Sequence, residues 1–211
     1  MKFKLLFSYR FLLFILSVLG VYLQLTKHGG FGMMLYYTIL SNMLVMFFMG
    51  DMVWRMLRAR STQTQGYLRL KGAVTMAIMI TFVIYHFMLA PLATPEKFYR
   101  LENFLCHYIV PLMFFFDTLV IDKAKQYRKL DPFLWTLIPL AYMLFALLNG
   151  LVLKWPIPGA KDSPFAYFFI NVNKYGWAFV GKWVVIIFIA YLLAGYVLYG
   201  IKNIKRKSAV S

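Results

Sequence analysis

A hydroxyl and an imidazole held at one depth in a membrane can serve as a nucleophile and its base, and Thr38 and His107 are placed for that pairing. A threonine hydroxyl attacks a carbonyl poorly until a base removes its proton, and histidine is the usual base near neutral pH. The apolar segments contain few ionisable residues, among them Asp51, His86, His107 and Asp117. Lipid makes such groups costly, so each is by default paired or functional. Asp51 precedes Arg55 by four residues, the spacing of a helix-end ion pair. His86 and His107 lie deeper and are candidates for acid, base or proton carrier.

These residues need helices to hold them. A bilayer core takes about 20 mostly apolar residues per helix. Six segments qualify, at 6–26, 33–54, 72–91, 99–121, 133–153 and 178–200. Lys27-His28-Gly29-Gly30, the polar stretch Arg58 to Lys71, Pro91 with Pro95, Asp131-Pro132, and Trp155-Pro156-Ile157-Pro158-Gly159 punctuate them. The chain therefore reads as a single domain over 1–211, an all-α bundle of six transmembrane helices. Its composition is 62% hydrophobic and 14% charged. A soluble domain carries about 25% charged residues, so a water-soluble enzyme is excluded, and so is intrinsic disorder. Continuous apolar runs exclude an outer-membrane barrel, whose strands alternate. The first run continues past Gly20 to Leu25 without a small-residue cleavage site, so it reads as a span and not a signal peptide.

The formal net charge is +16. Between spans, basic residues fix orientation and touch anionic headgroups, so lipid and not nucleic acid is the expected partner. Sixteen Lys and Arg fall on one side: Lys2, Lys4 and Arg10, then Arg55, Arg58, Arg60, Arg69 and Lys71, then Lys123, Lys125, Arg128 and Lys129, then Lys202, Lys205, Arg206 and Lys207. Six fall on the other, Lys27, Lys97, Arg100, Lys154, Lys161 and Lys174, while Lys182 snorkels outward from just inside the last span. Both termini are expected in the cytoplasm. The absence of an Asn-x-Ser/Thr sequon fits a bacterial cytoplasmic membrane.

With that orientation, Thr38, His86 and His107 fall in one layer of the outer leaflet. Helical spacing extends each into a stripe: Thr38, Ser41 and Asn42; Thr75, Phe82 and His86; Asn103, His107 and Pro111; Tyr142 and Asn149. Such stripes face the bundle interior, because lipid offers no hydrogen-bond partner. Asn42, Asn103 and Tyr36 are candidate oxyanion donors, and His86 is a candidate to orient His107. No metal or other cofactor is expected: two histidines lack a third ligand at recognisable spacing, and Cys106 points about 100° away from His107. Asp117 lies about 15 Å further along its helix, so a proton relay between it and His107 would need water. A small-molecule or proton-coupled transporter using the same polar layer is the alternative. Residues 154–177, rich in Pro, Gly and aromatics, read either as a flap over a site or as an interfacial aromatic belt.

Two stretches carry a resemblance: Tyr36-Tyr37-Thr38-Ile39-Leu40-Ser41-Asn42, and Asn103-x-x-x-His107-x-x-x-Pro111 followed by Asp117. Ser163-Pro164-Phe165 before Tyr175-Gly176-Trp177 adds a fainter echo. The sequence resembles the androgen-induced-gene family of integral membrane proteins and its bacterial six-span relatives. Eukaryotic members are threonine hydrolases that cleave fatty acid esters of hydroxy fatty acids. The resemblance implies a nucleophile at Thr38 and an essential histidine at His107. It departs at Ser41-Asn42, where eukaryotic members are more apolar or acidic, and at Cys106 and Tyr108, where they carry other His or Thr residues. The expected function is hydrolysis of a membrane lipid or fatty acyl ester, with a free carboxylate product meeting Lys182 or Lys174.

The topology is testable in a Cys106→Ser background. Cysteines replacing Lys27 or Lys161 should react with a membrane-impermeant thiol reagent in intact cells, and cysteines replacing Ser61 or Gln126 should not. The reverse pattern would invert the orientation.

Overall fold

The computed structural model describes residues 3–204; Lys2, Lys205, Arg206 and Lys207 of the charge count lie outside them. Six helices are long and apolar enough to cross a membrane: α1 (Phe3–His28), α2 (Tyr37–Leu57), α3 (Gln65–Leu92), α4 (Leu101–Ile121), α5 (Asp131–Leu153) and α6 (Val172–Asn203). Each contains most of an expected segment, and α3 and α6 extend beyond it by several residues at their starts. No strand occurs among the described residues. Arg10 near the start of the chain and Lys202 near its end both reach Asp122, so the two ends of the described chain share one end of the bundle, the termini end. The segments 29–36, 93–100 and 154–171 lie at the opposite, loop end.

Three of the helices contain wide turns, α3 at Tyr85–Leu89, α4 at Leu105–Ile109 and Asp117–Ile121, and α5 at Asn149–Leu153. In each, a backbone N–H bonds the carbonyl five residues back, as in Val110 to Leu105. Such π-turns insert one residue and rotate everything beyond them by most of a residue step. Tyr85, His107, Asp117 and Asn149 all sit in these turns, so ideal 3.6-residue spacing misplaces their neighbours.

The termini end is held by charge. Arg10, Lys71 and Asp117 are fully buried, and Asp122 nearly so. The Arg10 guanidinium forks onto Asp117, with Nε to Oδ1 at 3.0 Å and Nη2 to Oδ2 at 3.3 Å. Lys71 donates to Asp117 and lies 2.7 Å from Asp122 Oδ2. Thr62 and Gln63 of the connection between α2 and α3 join the cluster. Lys202 Nζ caps the carbonyls of Thr118 and Asp122 at 2.8 and 2.7 Å. Arg10, Lys71 and Lys202, counted above as orienting charges, thus point into the protein and bind α1, α3, α4 and α6 together. Asp117 serves this clamp and is separated from the Thr38 layer. Arg69 forks onto Asp131 to join α3 and α5, and Asp51 pairs with Arg55 at 2.6 Å as the spacing predicts.

At the loop end the segment 154–171 folds inward. Phe165 is 1% exposed and packs against Gly150, where any side chain would overlap its ring. Asn149 secures the segment: its Nδ2 donates to the carbonyls of Trp155 and Pro164 at 3.1 and 3.0 Å, and Trp155 N–H returns to Oδ1.

These two devices predict different losses. Asp117→Ala leaves buried Arg10 and Lys71 without their main counter-charge, which should cost about 3–5 kcal/mol. Asn149→Ala removes an ordinary polar contact worth about 0.6–2 kcal/mol. Thermal unfolding in detergent should rank the first variant well below the second; equal losses would mean the clamp is not the anchor of the fold.

Candidate functional site

Thr38 lies in the first turn of α2 and His107 in the wide turn of α4. The Thr38 Oγ1 to His107 Nε2 distance is 3.3 Å. His107 Nδ1 lies 3.0 Å from the Asn103 carbonyl. A carbonyl only accepts, so Nδ1 carries the proton and Nε2 presents a lone pair to Thr38, the tautomer that a general base needs. The Tyr85 ring stacks on the imidazole at 3.7 Å between centroids. Asn103 Nδ2 donates to the Tyr85 hydroxyl at 2.6 Å and to the Phe98 carbonyl at 2.8 Å. The imidazole is therefore fixed in tautomer, plane and height.

A proline sets the register of α2 against α4. Pro111 has no N–H to give to the carbonyls of the preceding turn. Asn42 Nδ2 supplies the Cys106 carbonyl instead, at 3.0 Å, and also donates to the Thr38 carbonyl at 2.8 Å. One amide thus ties the backbone beside His107 to the backbone of Thr38. Its Oδ1 is buried without a partner. Ser41 turns away to Thr81 Oγ1 at 2.7 Å, joining α2 to α3. The Cys106 side chain is buried towards α1, where Gly20 leaves room for its sulfur.

Several residues named from sequence lie elsewhere. His86 is exposed, with Nδ1 3.3 Å from the Tyr108 hydroxyl, and Tyr85, which continues the buried face of Ile78 and Thr81, meets His107 in its place. The Tyr36 hydroxyl donates to the Pro158 carbonyl at 2.8 Å, which uses its proton on the loop. Both amide hydrogens of Asn42 and Asn103 are engaged, so neither side chain is a free oxyanion donor. Lys182 is exposed, and Lys174 pairs with Asp162 at 2.8 Å.

Two tyrosines that sequence reasoning passed over complete the site. Tyr167 is buried among the rings of Tyr36 and Tyr142 and lines the same cavity as Tyr37 and Thr38, at the start of α2. The backbone N–H groups of Tyr37 and Thr38 open that helix and have no intrahelical acceptor. Burial raises the Tyr167 phenol above its ordinary pKa, which keeps it a proton donor. The Tyr37 hydroxyl is buried without a partner and faces the same cavity. The only sequence signal for Tyr167 was its place in the aromatic loop.

Thr38 and Tyr85 line a cavity of about 110 Å³. One water needs only ~10–15 Å³ on such a measure, so the space is well beyond a packing defect. Its walls come from α3, α5, α6 and the inward loop, and they are almost entirely apolar. His107 stands behind Thr38 and Tyr85, outside the lining. Pro139, Leu140 and Met143 of α5 face Ile187 and Phe188 of α6 across the cavity, and all five are only partly buried. Nearer the termini end the same helices close together, with Pro132 and Trp135 against Gly195. The cavity therefore has a lateral rim between α5 and α6. No family model, curated protein or solved structure matches this chain.

The register argument is testable. Asn42→Ala orphans the buried Cys106 carbonyl and should cost about 1–3 kcal/mol in detergent unfolding. His86→Ala should change stability by less than about 0.5 kcal/mol, as for a surface position. A reversed ranking would contradict the assigned roles.

Proposed function

We propose that this protein is an integral membrane hydrolase of fatty acyl esters, with Thr38 as nucleophile and His107 as general base. The observation that carries the reading is the Thr38 Oγ1–His107 Nε2 approach at 3.3 Å with His107 Nδ1 committed to a carbonyl. This distance is slightly longer than an ideal hydrogen bond, as is common before substrate binds.

An ester lying in the cavity presents its carbonyl carbon to Thr38. As Oγ1 attacks, its proton passes to His107 Nε2 and the carbonyl oxygen becomes an oxyanion. The N–H groups of Tyr37 and Thr38, which open α2 without intrahelical acceptors, and the Tyr167 O–H are the donors available to the oxyanion. Preorganised donors of this kind are commonly the largest single contribution to acyl transfer. The imidazolium returns its proton to the departing alkoxide, leaving an acyl-threonine. Water, deprotonated by the same imidazole, releases the acid and restores Thr38.

The resemblance to the membrane threonine hydrolases supports this chemistry independently of the distances. The excess of Lys and Arg at the termini end supports a multi-pass position with both termini in the cytoplasm, in a bacterial cytoplasmic membrane. The pair then stands in the outer leaflet, where an amphiphile enters sideways through the apolar rim. A transporter would have to open this site to the termini end in a second arrangement, past the Trp135–Tyr191 contact and the buried clamp.

Thr38→Ala and His107→Ala should each lower ester turnover by about 10²–10⁴-fold. The double variant should be little worse than either, because residues acting as one unit are not additive. Thr38→Ser should retain part of the activity. A fluorophosphonate probe should label Thr38 in the wild type and neither alanine variant. Unchanged turnover in a folded Thr38→Ala protein would remove the nucleophile, and uptake without turnover would favour transport.

A further inference from the structure

The cavity has a direction and an end. Leu89, Tyr85 and Thr38 mark its loop-end portion, and it runs along α3 to Ile80 and along α6 from Val184 to Tyr191. At about 1.5 Å rise per residue, these stretches span roughly 10–14 Å of the bundle. The far end is shut. Tyr191 is buried, and its hydroxyl donates to the Trp135 carbonyl at 3.1 Å. Beyond it, Met76, Tyr127, Trp135 and Leu198 form a packed apolar cluster. The clamp of Arg10, Lys71 and Asp117 then fills the remaining depth on the termini side.

From this we infer that the cavity measures the acyl chain, admitting saturated chains of medium length and rejecting long ones. The inference rests on the hydrolase reading only in placing the ester carbonyl at Thr38. An extended chain starting there meets Tyr191 after roughly eight to ten carbons at ordinary C–C bond lengths. Each methylene that fits is removed from competing packing in the bilayer and gains close contact with apolar walls. The first that does not fit must displace the ring of Tyr191, whose hydrogen bond and neighbours resist it, or turn out through the rim between α5 and α6 and lose its contacts with the end of the cavity. Selectivity should therefore appear as a cut-off and not as a gradual slope.

Binding and turnover separate this inference from the chemistry. Methyl ketones of about six to sixteen carbons mimic the ester carbonyl without a leaving group, and a bound ligand raises the unfolding temperature. With folded Thr38→Ala protein, stabilisation should rise to about eight to ten carbons and fall beyond. Tyr191→Ala should move the cut-off several carbons longer, and Tyr191→Phe, which keeps the ring, should leave it in place. Ile187→Trp should fill the middle of the cavity and shorten the cut-off, which covers the case in which Tyr191→Ala does not fold. Stabilisation that climbs steadily to sixteen carbons, or a cut-off that none of these variants moves, overturns the inference. A cut-off that shifts as described supports it even if wild-type protein turns over no p-nitrophenyl ester of the same lengths; that second result would count against hydrolysis alone.

Discussion

A carbonyl left without its usual donor sets the geometry of this protein. Pro111 cannot give an N–H to the turn before it, and the Cys106 carbonyl is completed by Asn42 from the neighbouring helix. A buried carbonyl left unpaired in an apolar interior is costly, so α2 cannot slide along α4 without losing this bond. The same amide grips the Thr38 carbonyl, and Thr38 is therefore indexed to the turn that carries His107. The Tyr85 ring and the Asn103 carbonyl then fix the imidazole within that frame. A slip of one residue would rotate Thr38 away by about 100° and end the contact.

The two ends of the bundle solve different problems. At the termini end three cations and two carboxylates are taken out of water together. Their desolvation is offset only because each carboxylate oxygen meets guanidinium, ammonium or amide donors, an arrangement that tolerates little rearrangement. At the loop end the polar groups, among them Glu102 paired with Lys27 and His28, are interleaved with aromatic rings, and a cavity is left open. Rigidity is concentrated where no chemistry is proposed, and free volume lies where a substrate would sit. The inward loop bridges these regimes, since Asn149 fastens it and Phe165 keys it against Gly150.

Much of this was legible from residue types. Six apolar runs gave the spans, the spacing of Asp51 and Arg55 gave their ion pair, and equal depth gave the Thr38–His107 meeting. What could not be read has several causes. The stripe through Thr75, Phe82 and His86 was taken for the inner face of α3, whereas the buried face runs through Ile78, Thr81 and Tyr85. The partners of Asp117 could not be named, because Arg10 and Lys71 come from distant helices and were counted as orienting charge. Tyr167 could not be assigned because nothing local in a Pro- and aromatic-rich loop tells which ring will fold inward. Asn42 and Asn103 were correctly placed near the pair, but their amides are engaged in holding backbone, a distinction that sequence does not carry.

The lateral rim between α5 and α6 has a consequence for how the proposed enzyme would experience its substrate. A site reached through the side of the bundle exchanges molecules with the surrounding lipid film and not with the aqueous phase. Its occupancy follows the mole fraction of ester among neighbouring lipids, so diluting the membrane with inert lipid lowers the rate at constant total substrate, whereas adding buffer does not. Both products return to the same film, where the more polar acid drifts towards the headgroups and the alcohol disperses among the chains. The departure of product would then be a partitioning event governed by the bilayer's composition, and the membrane would act as the solvent whose dilution enters the rate law.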